Sequence, residues 1–176
     1  MVLTGKEIIA QVKAGSIYIE GFDENKVNPN SYNLRLHDEL VVYQDDILDL
    51  KQNNKTKTVV IPKTGYLLIP GKLYLGRTAE FTKTHGFVPQ IEGRSSIGRL
   101  GIDVHKTAGW GDDGFENYWT LEIVATQPIY IYPFVEICQI IYMKVFGDNS
   151  IKYKGKYQNT GQIDGSKLFE EFKSYP

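Results

Sequence analysis

From Ser16 onward the apolar residues of this chain come in short runs, β-branched or aromatic, each closed off by Asn, Asp, Gly or Pro. Ile17-Tyr18-Ile19, Tyr32-Asn33-Leu34-Arg35-Leu36 and Leu40-Val41-Val42-Tyr43 are the first three. Gln52-Asn53-Asn54-Lys55 reads as a hairpin tip before Thr58-Val59-Val60-Ile61. Tyr66-Leu67-Leu68-Ile69 and Leu73-Tyr74-Leu75-Gly76 flank a Pro70-Gly71 turn and read as an antiparallel pair. Phe87-Val88-Pro89-Gln90-Ile91-Glu92, Ile129-Tyr130-Ile131-Tyr132 and the stretch from Val135 to Val145 continue the pattern. About ten short strands with close turns predict a mainly β fold, a barrel or jelly roll with one or two short helices. Before Ser16, Thr4-Gly5-Lys6-Glu7 has the form of a capping box, Ile8, Ile9 and Val12 make an apolar stripe, and Gly15 is the stop. That predicts one helix of about 11 residues. No internal repeat and no linker divides the chain, so residues 1–176 read as a single domain.

Charge and cysteine content narrow the function. The 176 residues carry a net charge of −1 with no basic half, which makes a long nucleic-acid backbone a poor partner. No apolar run approaches the ~18 residues of a membrane span, and the first residues lack the apolar core of a signal peptide. The single cysteine, Cys138, excludes an internal disulfide and suits a cytoplasmic protein; between Ile137 and Gln139 it reads as a buried thiol. One cysteine and three scattered histidines (His37, His85, His105) cannot build the His/Cys/Cys cluster of the zinc nucleobase deaminases.

The chemistry concentrates in about thirty residues around a glycine-rich turn. Gly93-Arg94-Ser95-Ser96-Ile97-Gly98-Arg99-Leu100-Gly101 sets two arginines about two hydroxyls and a glycine. It is too glycine-rich for a long helix and suits a single turn. Guanidinium groups, serine hydroxyls and backbone N–H groups are what a polyphosphate binds. Thr107-Ala108-Gly109-Trp110-Gly111-Asp112-Asp113-Gly114-Phe115 follows, with two carboxylates on a loop.

In Trp119-Thr120-Leu121-Glu122-Ile123-Val124-Ala125, alternation puts Trp119, Leu121, Ile123 and Ala125 on one face and Thr120, Glu122 and Val124 on the other. Glutamate is disfavoured in strands. Glu122 therefore sits either on a solvated face or in a pocket, where it can take a proton from water and return it with Arg99 offsetting its charge. Asp112 and Asp113 have two readings as well, as ordinary turn residues or as holders of a water or a sugar hydroxyl. The tail from Gly147, rich in lysine and tyrosine, is either a frayed terminus or a lid closing on phosphate, with a helical turn or two near Ser166-Lys167-Leu168-Phe169-Glu170-Glu171-Phe172.

Gly-Arg-Ser-Ser-x-x-Arg-x-Gly, Thr-Ala-Gly-x-x-Asp-x-Gly-Phe and Thr-Leu-Glu, in this order, strongly resemble the dCTP deaminases, relatives of the trimeric dUTPases. Ser31-Tyr32-Asn33-Leu34-Arg35-Leu36 resembles the family's early strand, and Gly155-Lys156-Tyr157-Gln158 its C-terminal lid, here residues 147–176. The resemblance implies a distorted jelly roll of the dUTPase type, assembled as a homotrimer with sites at subunit interfaces. Glu122 would be the general base and acid that activates water to attack C4 of cytosine. Ser95 and the backbone at Ala108 would fix that water, with Arg99 positioning Glu122 and the base. Arg94 and Ser96, with N–H groups of Ile97 and Gly98, would cradle phosphates, with Mg²⁺ bridging the triphosphate and no zinc. Asp112 would lie by the deoxyribose 3′-hydroxyl, in the place of the dUTPase carboxylate that activates water. Thr120 and Leu121 would read the pyrimidine through main-chain groups; Gln139, Tyr153 and Lys156 would complete the site.

Gly98 before Arg99 and the Thr107-Ala108-Gly109 form look more like the bifunctional members, which go on from dCTP through dUTP to dUMP and diphosphate. Feedback inhibition by dTTP is implied too, with His105, Thr107 and Ala108 as the moving part; a satisfied structural histidine is the other reading of His105. The alternatives in function are a deaminase releasing dUTP, a plain dUTPase, or a non-catalytic nucleotide sensor. Four positions depart from the family pattern: Thr160 for a lid glutamine, Asp113 for proline or alanine, Asn117 for glycine, and Gly111 for an apolar residue, the last expected to loosen its loop.

Overall fold

A computed structural model describes residues 1–173. Helix α1 (Gly5–Ala14) starts at Thr4, whose hydroxyl accepts from Glu7 N at 3.3 Å, and stops at Gly15 in the left-handed region. Strands β1 (Ile17–Ile19), β2 (Tyr32–Arg35), β3 (Glu39–Tyr43), β4 (Thr56–Val60), β5 (Tyr66–Leu68), β6 (Tyr74–Arg77), β7 (Thr82–Thr84) and β8 (Phe87–Gly93) follow. Then come the single turn α2 (Ser95–Gly98), β9 (Ile102–Asp103), β10 (Glu116–Asn117), β11 (Thr120–Ala125), β12 (Ile129–Ile131), β13 (Glu136–Lys144) and α3 (Phe169–Phe172). The architecture is mainly β, as the short apolar runs predict. No described helix is long and apolar enough to cross a membrane.

Every paired strand is antiparallel. A five-stranded sheet runs β4-β3-β6-β11-β9, and a three-stranded one runs β2-β13-β8. A second three-stranded unit, β1-β7-β10, and the pair β12-β5 complete the set. The inward residues Leu34, Leu36, Leu40, Leu68, Leu121, Ile123, Ile140 and Tyr142 are fully buried and form one contiguous core. Gly76 lies where β6 passes closest to that core: a Cβ there would come within 2.9 Å of Ile123 Cδ1 and 3.0 Å of Leu36 Cδ1.

One expected pairing is corrected. Strands β5 and β6 do not form a hairpin across Pro70-Gly71; β5 pairs with β12, and β6 lies between β3 and β11. The Ile69 N–H donates to the Tyr74 phenol at 3.0 Å instead of to a ladder carbonyl, so the chain turns a corner from one sheet into another.

Candidate active site

Strand β11 holds Glu122 by pairing with β6, Glu122 opposite Leu75 and Thr120 opposite Arg77. Leu121, Ile123 and Ala125 point into the core, which forces Thr120 and Glu122 to the other face. That face opens on a cavity of about 460 Å³, the size of a small-molecule site, lined also by Ala108, Asp112, Tyr118 and Tyr153. Glu122 is half-buried there. Its Oε2 accepts the backbone N–H of Lys106 at 3.1 Å and of Thr107 at 3.4 Å, and its own N–H donates to Val104 O at 2.9 Å. The carboxylate is thus held from two elements, the strand and the loop after β9.

That loop carries the second constellation. A neighbouring cavity of about 470 Å³ is lined by Arg94, Ser95, Gly98, His105 and Thr107, and Trp110 lines both cavities. His105 is largely buried, and neither ring nitrogen has a hydrogen-bond partner among the described residues. Burial holds its pKa below the ordinary histidine value, against the opposing pull of the Glu122 charge.

The α2 turn stands on this second cavity. Ile97 and Gly98 N–H groups both donate to Arg94 O at 2.9 Å, so these two amides are used inside the turn. Arg94 Nη1 donates to Glu136 O at 3.0 Å and pairs with Glu136 Oε2 at 3.2 Å. Gln139 braces the entry: its Nε2 donates to Gly93 O at 3.2 Å, and its Oε1 accepts from Ser31 Oγ at 2.7 Å. Ile97 packs on the core, while Ser96 and Arg99 are exposed.

Within one chain, then, Glu122, Thr120, Ala108, Asp112 and Tyr153 share a cavity, and Arg94, Ser95, Gly98, His105 and Thr107 share its neighbour. Ser96, Ile97, Arg99, Leu121, Gln139 and Lys156 line neither. Lys156 instead pairs with Glu171 Oε1 at 2.5 Å, a contact that raises its pKa.

The family model of the dCTP deaminase-like proteins matches residues 2–145 of this sequence. The chain belongs to that family. A Clostridium beijerinckii protein named "dCTP deaminase, dUMP-forming" is 57% identical over 173 residues, covering 98% of this chain and 99% of its own. One of the same name from Leptospira biflexa is 54% identical over 173 residues, with the same coverage of both chains. Among solved structures, a 2′-deoxycytidine 5′-triphosphate deaminase from Agrobacterium tumefaciens superposes with a TM-score of 0.64 at 20% identity, over 82% of this chain and 48% of that one. This chain thus spans about half the length of that structure, and the likeness supports the fold alone.

Two of the positions expected to depart from the family pattern have structural accounts. Gly111 does not loosen its loop: its N–H donates to Pro89 O at 2.9 Å, and the Trp119 ring packs where a Cβ would stand. Asp113 is buried and takes Gly86 N–H at 2.9 Å, Lys152 Nζ at 2.7 Å and the Asn149 carboxamide. Burial pushes the Asp113 carboxyl up, but the hydrogen bonds from Lys152, Asn149 and Gly86 outweigh it and hold the group below its ordinary value.

Sequence reasoning missed Trp110, Tyr118 and Tyr43 as cavity walls. A signal was available for Trp110, since a tryptophan between two glycines has little to pack against and is 60% exposed. Tyr118 is placed by Arg77, whose guanidinium lies 4.2 Å from its ring centre, across strands that are remote in sequence.

Proposed function

We propose that this chain deaminates dCTP at C4 and carries the product on to dUMP, with Glu122 moving the protons. The observation that carries the reading is Glu122 itself: a strand carboxylate turned into a nucleotide-sized cavity and oriented by the Lys106 and Thr107 N–H groups. In that position it takes a proton from water as the water oxygen bonds to C4 and the C4–N3 double bond opens, its electron pair passing to N3, from which it returns when N4 leaves. Glu122 then returns the proton to the amino nitrogen as the C4–N4 bond breaks and ammonia leaves. Relatives named for the dUMP-forming reaction support the second step, in which water attacks the triphosphate of the deaminated nucleotide and diphosphate departs. Asp112, exposed at the same cavity, is the carboxylate for that water.

The reading needs Ser95 and Arg99, which do not line the Glu122 cavity of their own chain. A homotrimer answers this: α2 of one subunit faces the Glu122 cavity of the next, bringing Ser95 to the water and Arg99 to Glu122 and the base. Arg94 and Ser96 take phosphates through side chains. Leu121, fully buried, offers main chain only, and with Thr120 reads the pyrimidine. Gln139 holds the α2 entry in place, and the tail with Tyr153 and Lys156 closes the site.

Mg²⁺ suits the site as an ion carried in by the triphosphate. His37, Asp38 and Glu39, a cluster of described residues able to share a metal, line neither cavity, and Arg77 Nη2 occupies a position 2.8 Å from His37 Nε2. When bound, the ion would neutralise phosphate charge.

dTTP acts as a feedback inhibitor through the loop carrying His105, Thr107 and Ala108, whose backbone holds Glu122 at one end and whose histidine has no hydrogen-bond partner among the described residues. The enzyme works in the cytoplasm on free nucleotides. The test is to incubate the protein with dCTP and Mg²⁺ and resolve the products. Ammonia with dUMP supports the reading; accumulating dUTP removes the second step; binding without ammonia makes the protein a sensor.

A further inference from the structure

The stretch from Tyr153 to Ser166 folds back over the Glu122 cavity, and Tyr157, Thr160, Asp164 and Ser166 line it together with β11. What holds the segment there is specific. The turn at 157–161 docks on the edge of β10, with Asn159 N donating to Glu116 O at 3.1 Å. Gln158 spans the same edge, its Oε1 accepting from Glu116 N at 3.1 Å and its Nε2 donating to Gly114 O at 2.8 Å.

Asn117 stands at the centre of this contact and is 4% exposed. Its Nδ2 donates to Tyr157 O at 2.8 Å and to Thr160 Oγ1 at 3.0 Å. Its Oδ1 accepts from Tyr118 N at 2.9 Å and from Gly161 N at 3.2 Å. Both donor hydrogens and both lone pairs of the carboxamide are engaged, the full capacity of the group. Three of the four bonds reach the tail, and the fourth fixes Tyr118, which forms the cavity wall beside Thr120. No other small side chain reproduces this set: aspartate lacks the two donors, and glycine lacks everything.

We infer that Asn117 is a positioning residue that clasps the C-terminal segment in its closed register, so that Tyr157 and Thr160 cover the bound nucleotide. The inference rests on the functional reading above, because the substrate it serves is dCTP. Its action is through the tail; it moves no proton. Opening the cavity breaks the three tail bonds together, and substrate retention follows the clasp.

The experiment compares Asn117→Asp, Thr160→Val and Thr160→Ser with the parent, by amide exchange over residues 150–165 and by dCTP kinetics. Asn117→Asp loses two donated bonds, which raises exchange in the tail and KM for dCTP by about tenfold while kcat stays within about twofold. Thr160→Val, on the turn outside β10, moves both readouts the same way by about threefold. Thr160→Ser restores the acceptor and returns both. Unchanged tail exchange in the Asp and Val variants, or a fall in kcat with KM unmoved, overturns the clasp. If the parent chain releases no ammonia from dCTP, the functional reading fails, and tail exchange without nucleotide still decides whether Asn117 holds the segment.

Discussion

Lys152 Nζ lies 2.7 Å from Asp113 Oδ2, joining the first residues of the C-terminal segment to the loop that leads into the Glu122 strand. Asp113 is buried and also takes the Gly86 N–H, so the tail is tied to a fixed point of the β7–β8 turn. Its lowered pKa has a defined sign. A carboxyl whose folded pKa falls below its ordinary value of 3.8 contributes stability that is present above that value and lost as pH falls through the folded pKa. The tether is therefore intact at neutral pH and releases only in acid. Asp113→Asn should make the tail cleavable by added protease at pH 7 at a rate several-fold above the parent's, because it removes the charge with which Lys152 Nζ pairs. Equal cleavage of the two proteins would remove the tether.

His105 should titrate below the ordinary histidine value of 6.5, because burial opposes its charged form. The matching stability is present above that value and is lost as pH falls through the folded pKa. Imidazole chemical shifts followed against pH measure this directly. Glu122 pulls the other way, so Glu122→Gln should lower the His105 midpoint further. A midpoint at or above 6.5 in the parent contradicts the described surroundings of the ring.

Gly76→Ala should destabilise the protein by about 2 kcal/mol, because the added Cβ meets Ile123 and Leu36 in a core without slack. For a chain of this size that is a fall of roughly 4–8 °C in Tm. An unchanged Tm would mean that β6 and β11 can move apart at no cost.

The proposed sharing of each site between two subunits of a homotrimer makes a distinctive prediction. Arg99→Ala and Glu122→Gln should each be inactive alone. Mixed, refolded trimers should regain about a quarter of parental activity, since half the α2 turns and half the Glu122 cavities are intact and pair at random. Regained activity near zero would place Arg99 and Glu122 in one chain's site.

Much of this was legible in the sequence, and the limits have physical causes. The alternation around Glu122 was readable because Trp119, Leu121 and Ile123 leave it one direction to face. The single turn at α2 followed from its glycines and the open position before Ser95. Pairing partners were not readable: β5 and β6 flank a good turn signal, yet each finds its ladder elsewhere, because burial of Leu68 and Tyr74 in different sheets outweighs the turn. Nor does the sequence mark the meeting of Asn117 with Thr160, or of Asp113 with Lys152, since both join segments about forty residues apart through contacts that only the fold creates.

Glu122→Gln tests the central claim most directly, because it keeps an oxygen for the Lys106 N–H while removing the group that accepts a proton. Ammonia release from dCTP by this variant should fall by about 10²–10⁴-fold with the Kd for dCTP nearly unchanged. Release at the parental rate would contradict the assignment of the proton to Glu122.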